Sequence, residues 1–537
     1  MHLVRGCVWA SALLLISSTT LAAQVLRRDA VDEPEGLDPH KTDSTAAATV
    51  ERDLYEGLVI FAPNGQITGG AAQSWDISAD GLQYTFQLRP GLRWSNGEDL
   101  TADDFVYSFR RLVNPATKSP YAFMAFPIRN AREISGAKDS AVDHLGVAAE
   151  GPSRLKITLA QPTPYFLTAL THPSFAPVNR KAIEQQGASF GKTGTFVGNG
   201  AFTLEEWTPG ARIVLKKNPS YWDHDHVKLA EVHYLAPQTD EEEARQFFAG
   251  ATDITWSVPA SQLAEIRAKH ADELKSYPDL AVFFYPFDLK SGPFKSSVKL
   301  RQALAMVTDR EYITREITGR GEKPAYSWIP PGIPEYTPQE FSWAKFPNAE
   351  RLAVARQLYA DAGYGPGKQL KVELRLGEGE YRQKMAQAVA RQWKEALGVE
   401  AQVVASGSDA KAPEDPATWI VTARGWLADY ADANSFAELW LSDSTENTSG
   451  YSNHQYDSLV SSANSERNPS ERAKVLEEAE RMLLSDYPMI PICDFVQLRL
   501  VRKTVAGYAP NANGVSYSKN IEIVDDRQQE NRSPQPQ

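Results

Sequence analysis

The stretch LQYTFQLRPGLRWSNGEDLTADDFVYSFRRL, residues 82–112, contains the signals of a strand and of a helix in close succession. Alternate positions from Tyr84 to Leu88 are apolar, which predicts a β-strand with one buried face. After a Ser-Asn-Gly turn, Thr101 followed by Asp104 is typical of a capping box and predicts the start of a helix. The stretch therefore predicts a compact α+β unit in the N-terminal half of the chain.

Outside this stretch, strand and helix signals continue along the chain. Two antiparallel strands are predicted at residues 201–205 and 213–217, joined by a Pro-Gly turn. Further along the chain, the apolar spacing predicts helices at residues 298–317, 350–364, 380–398 and 470–486, followed by a strand at residues 489–495. Helices and strands mixed in this way predict an α/β protein.

The length and the charge of the chain limit its class. A chain of 537 residues is long for one core and suggests roughly two to four domains. Its formal charge of −12 argues against a nucleic-acid binder or an anionic-membrane binder, because such proteins bind through clustered Lys and Arg. We therefore expect no nucleic-acid partner.

The two ends of the chain carry signals of processing and disorder. Residues 1–23 contain one Arg, a short apolar run and small residues, which predicts a secretory signal peptide cleaved after Ala23. The apolar run is too short to span a bilayer, so we expect a periplasmic protein without stable membrane insertion. Residues 525–537 are polar and predicted to be disordered. Cleavage removes Cys7 and leaves Cys493 alone, which excludes an intrachain disulfide.

A second stretch, GWLADYADANSF at residues 425–436, sets Asp429 and Asp432 among large apolar residues. A carboxylate removed from water needs a cation or several hydrogen-bond donors. Arg424 is the only cation nearby in the sequence. Either Arg424 neutralises an aspartate or a ligand brings the cation. Asp429 could also cap a helix beginning near Ala431, and a capping or surface role is expected for Asp432.

Several motifs, in order along nearly the whole chain, together resemble one known family. They are LDPHK (37–41), RDLYEGL (52–58), the opening stretch, GNGAFTLEEW (198–207) with IVLKKNPSYWD (213–223), VKLRQALAMVTDR (298–310) and GWLADYADANSF. The chain resembles the extracytoplasmic solute-binding proteins of peptide ABC importers, most closely the oligopeptide-binding branch.

The resemblance implies an α/β bilobal periplasmic-binding-protein fold of type II, with an extra α+β domain and a hinge between the lobes. The boundaries carried over place lobe I at residues 24–56, 181–280 and 496–524. The inserted domain takes residues 57–180, and lobe III takes residues 281–495. The hinge crossings are expected near Leu280 and Val496. Ala281 and Leu427 stand where the family has a pair of cysteines, in keeping with the expected lack of a disulfide.

The same resemblance implies a peptide site. Asp429 is expected to bind the α-ammonium of a peptide that adds as a strand between residues 43–46, including Asp43 and Thr45, and the segment formed by Gly425, Trp426 and Leu427. Side-chain pockets carry over to Tyr121, Trp256, Ser257, Phe284 and Trp426, although ordinary core packing is the alternative for each aromatic. Arg424 is displaced by one position from the arginine expected to meet a ligand carboxylate.

Other functions stay open at this point. Relatives in this fold bind murein tripeptide, haem, nickel chelates or short sugars, and Asp429 favours a ligand with an amine. The WDHDH motif, residues 222–226, contains side chains that could bind a metal, but a solvated loop explains it more simply. No metal and no cofactor are therefore predicted. The chain lacks an H-E-x-x-H motif, and the lone Cys493 left after cleavage lies in an apolar strand typical of a structural thiol, which disfavours a secreted hydrolase. We predict a monomer that is not an enzyme and that delivers short peptides to an inner-membrane ABC permease.

Overall fold

The computed structural model of the protein describes residues 24–30, 32–136, 141–191, 196–236, 239–377, 380–405, 413 and 415–524. The predicted signal peptide and the predicted disordered tail lie outside these residues. No helix within the described ranges is both long enough and apolar enough to span a bilayer.

The first sheet joins the start of the chain to residues about two hundred positions later. Val25–Asp29 pairs in parallel with Glu231–Leu235, which pairs antiparallel with Arg212–Lys217. Phe202–Thr208 completes the sheet as the antiparallel partner of Arg212–Lys217, which confirms the predicted hairpin.

The opening stretch of the sequence folds into an α+β unit, as predicted. Its antiparallel sheet has the order Ala72–Ile77, Gln83–Leu88, Arg154–Thr158 and Val147–Ala149. The helix Ala102–Val113 packs on this sheet, and its capping box is formed, with the Thr101 N–H donating to Asp104 Oδ2 at 2.8 Å.

The C-terminal half contains two further sheets. One is parallel, with Lys371–Leu376 between Glu400–Ala405 and Thr418–Thr422. The other is antiparallel and has the order Lys323–Pro324, Met489–Leu500, Leu274–Pro286 and Arg424–Leu427. Short pairs are formed by Val59–Phe61 with Ile67–Gly69 and by Val505–Ala506 with Glu522–Ile523.

Helices connect and cover these sheets. The α-helices are Thr45–Leu54, Ala102–Val113, Ala131–Gly136, Phe166–Ala169, Arg180–Gln186, Asp240–Phe248, Leu263–Lys269, Gly292–Ser296, Val298–Val307, Arg310–Tyr312, Asn348–Asp361, Glu380–Leu397, Asn434–Ala437, His454–Ser465 and Pro469–Asp486.

The single helix predicted at residues 298–317 is wrong, because the chain leaves the helical conformation at Thr308. A new turn begins at Arg310, where the Asp309 side chain accepts the Tyr312 N–H at 2.9 Å. The break carries the Arg310 guanidinium into the core, where its Nε donates to the Ala325 carbonyl at 2.8 Å. The hydrogen bonds that Arg310 donates to buried carbonyls therefore outweigh the helical pattern of this part of the sequence.

Two long antiparallel strands, Leu274–Pro286 and Met489–Leu500, run through the middle of the molecule. Their pairing is regular from Leu274 to Pro278, which faces Val496, and the register then shifts before Val282. The predicted crossings at Leu280 and Val496 both lie at this irregularity. An interrupted ladder offers fewer main-chain hydrogen bonds to resist bending there.

The buried hydrophobic residues form three main clusters. One lies within residues 58–175, with Tyr430 added from the C-terminal half. A second joins the beginning of the chain to residues 176–254 and 501–521. The third lies within residues 280–493 and contains Cys493, whose thiol is buried and has a pKa raised by that burial. Such a thiol is a structural residue rather than a nucleophile.

A buried carboxylate anchors the third cluster. Glu480, in the helix Pro469–Asp486, accepts the N–H groups of Trp328 and Ile329 at 2.8 and 2.7 Å. Its other oxygen accepts the Tyr336 hydroxyl at 2.6 Å and the Gln339 N–H at 2.7 Å. The Trp328 indole in turn donates to the Phe436 carbonyl, so Glu480 supports the end of the 425–436 stretch.

We predict that Glu480→Gln lowers the free energy of unfolding by about 1 to 3 kcal/mol, because an amide NH₂ would then face two buried donors. Urea denaturation followed by tryptophan fluorescence measures the change. Glu478→Gln, at an exposed position on the same helix, is the matched control and should leave the stability unchanged. Equal stability of both variants would contradict the role of Glu480.

Candidate functional site

A cavity of about 250 Å³ lies between segments of the N-terminal and C-terminal halves of the chain. Its walls come from segments that are far apart in the sequence, including the start of the helix Thr45–Leu54, the loop at residues 256–257 and residues 427–430. Of the predicted site residues, the cavity is lined by Asp43, Thr45, Tyr121, Trp256, Ser257, Leu427 and Asp429. The structure thus brings most of the predicted positions into one place.

Asp429 is half-buried in the wall of this cavity. Its N–H donates to the Ser435 hydroxyl at 3.0 Å, which fixes the main chain at this point. Burial, and then the negative charge of Glu446, raise the pKa of the Asp429 carboxyl to about 7. Across the described parts of the chain, no Lys, Arg or His forms an ion pair with Asp429. Its carboxylate is therefore uncompensated.

Arg424 does not neutralise Asp429. Its Nη2 lies 3.5 Å from Glu446 Oε2, and its Nη1 donates to the Thr448 hydroxyl at 2.8 Å. The guanidinium is thus engaged by Glu446 and Thr448, and Arg424 does not line the cavity. The alternative in which the local arginine satisfies the acid is wrong.

Asp432 has a strong partner that its sequence surroundings do not reveal. Arg472 donates to both of its oxygens, at 2.8 and 2.7 Å. The Asn434 N–H also donates to Asp432, at 2.8 Å, next to the short helix Asn434–Ala437. Asp432 does not cap this helix, because Ala433 occupies the cap position and no side chain makes a capping bond there, and Asp432 is not a surface residue, since it is part of a largely buried ion pair.

The strand Arg424–Leu427 is the outer strand of its sheet. It pairs antiparallel with Leu274–Pro286, with Leu427 opposite Ala281, and the Ala428 N–H donates to the Leu280 carbonyl at 2.9 Å. Because main-chain groups alternate along an antiparallel pair, those of Gly425 and Leu427 point to the open edge. Leu427 is 42% exposed. This edge can accept another strand.

The segment of residues 43–46 offers fewer free main-chain groups to a ligand than the sequence suggests. The N–H groups of Asp43 and Ser44 donate to Glu35 at 2.8 and 3.1 Å. The Asp43 carbonyl accepts the Tyr121 hydroxyl at 3.4 Å. These main-chain groups are already in use, so only the following residues at the helix N-terminus, from Thr45 on, are left to face a ligand.

The predicted pocket residues divide into those that line the cavity and those that belong to the core. Trp256 lines the cavity with its ring under the Arg499 guanidinium, 4.2 Å from the centroid, and the buried Ser257 hydroxyl has no hydrogen-bond partner among the described residues. Phe284, in contrast, is 1% exposed and packs edge-on against Trp328, so it belongs to the core.

Trp426 lines a neighbouring cavity of about 530 Å³ rather than the first one. Its indole donates to the Ser435 carbonyl at 2.9 Å. Asp429 borders both cavities and Tyr165 lines the second, where it stacks on Tyr430 with the centroids 5.0 Å apart. The carboxylate therefore sits at the junction of the two spaces.

Sequence reasoning missed several charged or polar residues of the cavity. They are Arg52, His172, Asp279, Arg320 and Arg499. Arg52 had a detectable signal, since it lies seven residues after Thr45 and hence on the same helix face. The others lie on loops and strands whose contacts depend on the tertiary fold.

The charged residues of the WDHDH motif pair with one another, whereas Trp222 donates to Glu56 Oε1 at 2.6 Å. His226 Nδ1 lies 2.5 Å from Asp223 Oδ1, in a short turn. Among the described residues no group of three or more His, Cys, Asp or Glu side chains is placed to hold a metal ion.

Comparison with known proteins agrees with this geometry. Residues 66–448 match the family described as bacterial extracellular solute-binding proteins, family 5 Middle. Over 510 residues the chain is 34% identical to the periplasmic oligopeptide-binding protein OppA of Salmonella typhimurium, which covers 93% of each chain. It is 35% identical over 514 residues to the probable deoxycholate-binding periplasmic protein YgiS of Escherichia coli, covering 94% of this chain and 95% of that one.

A solved structure shows the same architecture. The murein tripeptide-binding protein MppA of Escherichia coli superimposes with a TM-score of 0.83 at 33% identity, over 94% of this chain and 99% of that chain. The α/β bilobal fold predicted from the motifs is confirmed. The chain therefore belongs to family 5 of the bacterial extracellular solute-binding proteins.

Proposed function

We propose that this protein is a periplasmic, monomeric carrier that captures short peptides and delivers them to an inner-membrane ABC permease. The observation that supports this most directly is the uncompensated carboxylate of Asp429 in the cavity wall. A peptide with a free N-terminus brings the missing cation. Such a charge-assisted hydrogen bond contributes about 1.5 to 3 kcal/mol.

Main-chain recognition explains how many peptides could share the site. The open edge at Gly425 and Leu427 would pair with the amides that every peptide has. Side chains would extend into the two adjoining cavities, where water fills unused space. Closure of lobe I over lobe III, about crossings near Leu280 and Val496, would then trap the ligand.

The relatives suggest competing ligands. The name of YgiS indicates deoxycholate, an anion, whereas an uncompensated acid such as Asp429 repels negative charge. The name of MppA indicates a murein tripeptide, which is a peptide ligand and is compatible with an amine site. A binding role is also in keeping with the family, whose members are solute-binding proteins rather than enzymes.

We predict that Asp429→Asn weakens the binding of a free-amine peptide by about tenfold or more, because each factor of ten corresponds to about 1.4 kcal/mol of lost ion pairing. Isothermal titration calorimetry on ligand-free protein measures the affinity. Asp76→Asn, an exposed position in the inserted domain, is the matched control. Unchanged affinity in the Asp429 variant would reject the assignment.

A change in the ligand tests the same contact from the other side. N-acetylation removes the positive charge of the peptide, so the acetylated form of a bound peptide should give no measurable binding to the native protein. If acetylated and free peptides bind equally well, the amine contact does not exist.

Affinity should also depend on pH. The carboxyl of Asp429 has a pKa of about 7 in the empty site, and the ammonium binds its ionised form, so affinity should fall as the pH is lowered below about 7. Calorimetry in two buffers of different ionisation enthalpy should detect proton release at pH 6. Asp429→Asn should lose this release, and a flat pH profile for the native protein would oppose the proposal.

A further inference from the structure

Arg52 belongs to the helix face that borders the main cavity. Thr45, Ala48, Thr49 and Arg52 follow the spacing of one face of the helix Thr45–Leu54, and all four line the cavity. The arginine lies in the last turn of this helix. A cation is therefore built into the same space as Asp429.

The Arg52 guanidinium has no counter-ion in the described parts of the chain. Its Nη1 donates to the Ala48 carbonyl at 3.1 Å, and its buried Nε has no hydrogen-bond partner there. Two acids flank Arg52 in the sequence. Asp53 accepts the Tyr234 hydroxyl at 2.8 Å and the Ser518 N–H at 2.9 Å. Glu51 accepts the Thr42 hydroxyl at 2.8 Å, and burial raises its pKa to about 8. The raised pKa favours the neutral form of Glu51 at neutral pH, and no ion pair joins Glu51 to Arg52 in the described residues.

The other charges of the cavity are compensated in different ways. Arg499 lies over the Trp256 ring, and its charge is felt by the carboxyl of Asp279. Arg320 lies 3.9 Å from Glu322. Asp43 is exposed to water. In the part of the chain that the structure describes, Asp429 and Arg52 are the two cavity charges that are balanced neither by a protein counter-ion nor by exposure to water.

The surroundings of Arg52 suit an anion. The His172 ring lies 4.4 Å from the Tyr121 ring, and burial, with the adjacent charge of Arg52, lowers the pKa of His172 to about 3. This imidazole is neutral, and because its Nδ1 accepts the Ser174 N–H at 3.2 Å, its proton is on Nε2. Neutral donors beside an arginine favour a carboxylate.

We infer that Arg52 binds the carboxylate of the same ligand whose ammonium binds Asp429, so that the cavity selects short zwitterionic peptides with both ends free. This inference rests on the proposed function, and it assigns the opposite end of the ligand. An ammonium alone would leave Arg52 uncompensated, whereas a zwitterion satisfies both charges at once. Arg424, held by Glu446, does not fulfil this role.

The test compares dialanine and trialanine in three forms: with free ends, with a C-terminal amide and with an N-terminal acetyl group. Calorimetry is performed on native protein, Arg52→Gln, Arg52→Lys and the control Arg245→Gln, which changes an exposed arginine in the last turn of another helix. Thermal melting followed by circular dichroism verifies that each variant is folded.

The native protein and Arg245→Gln should bind the free acid at least tenfold more tightly than the amide. Arg52→Gln should bind acid and amide equally, and Arg52→Lys should retain part of the difference. Full discrimination in Arg52→Gln, or none in the native protein, would overturn the inference. Equal binding of acetylated and free peptides would instead overturn the proposed amine contact, so the two failures are distinguishable. If Arg52→Gln does not fold, the acid-to-amide ratio in the native protein and in Arg52→Lys decides.

Discussion

The desolvated carboxylate of Asp429 imposes the main constraint on this site. A charge in a cavity wall is costly unless something fixes its position and supplies its partner. The protein provides the first condition only: Ser435 holds the Asp429 main chain, and Asn513 donates to the adjacent Ala428 carbonyl at 2.9 Å. The raised pKa of Asp429 expresses the cost of the missing partner.

The loop that carries Asp429 is anchored from several directions. The pair of Asp432 with Arg472 ties it to the helix Pro469–Asp486, and Tyr430 stacks on Tyr165, which packs against the cluster within residues 58–175. On its other side, the strand Arg424–Leu427 joins the long central strand. Such anchoring keeps the Asp429 carboxylate from turning towards water, so the unfavourable free energy of its desolvation persists until a cation binds.

Local rules predicted those parts of the structure whose causes are local. The capping box at Thr101 and the hairpin after residue 201 depend on neighbouring residues, and both were found. Asp429 could be identified because an acid among apolar residues conflicts with its own surroundings. Arg472 could not, since it lies 40 residues from Asp432 and only the fold brings the two together. For Phe284 and Arg424 the family resemblance gave positions, but the packing of Trp328 and the carboxylate of Glu446 determine their contacts.

Opposite uncompensated charges in one small cavity also bear on how closure could be coupled to binding. If the lobes separated, water would hydrate both Asp429 and Arg52, and closing the lobes around an empty cavity would remove that water without replacing it, which is unfavourable. A ligand that carries both complementary charges removes this penalty at each end. The closed state would then be favoured only when the cavity is correctly filled, and the preference would come from desolvation of the protein's own groups rather than from contact area. A strand edge that accepts any main chain can in this way be combined with selectivity for the ends of the chain it accepts.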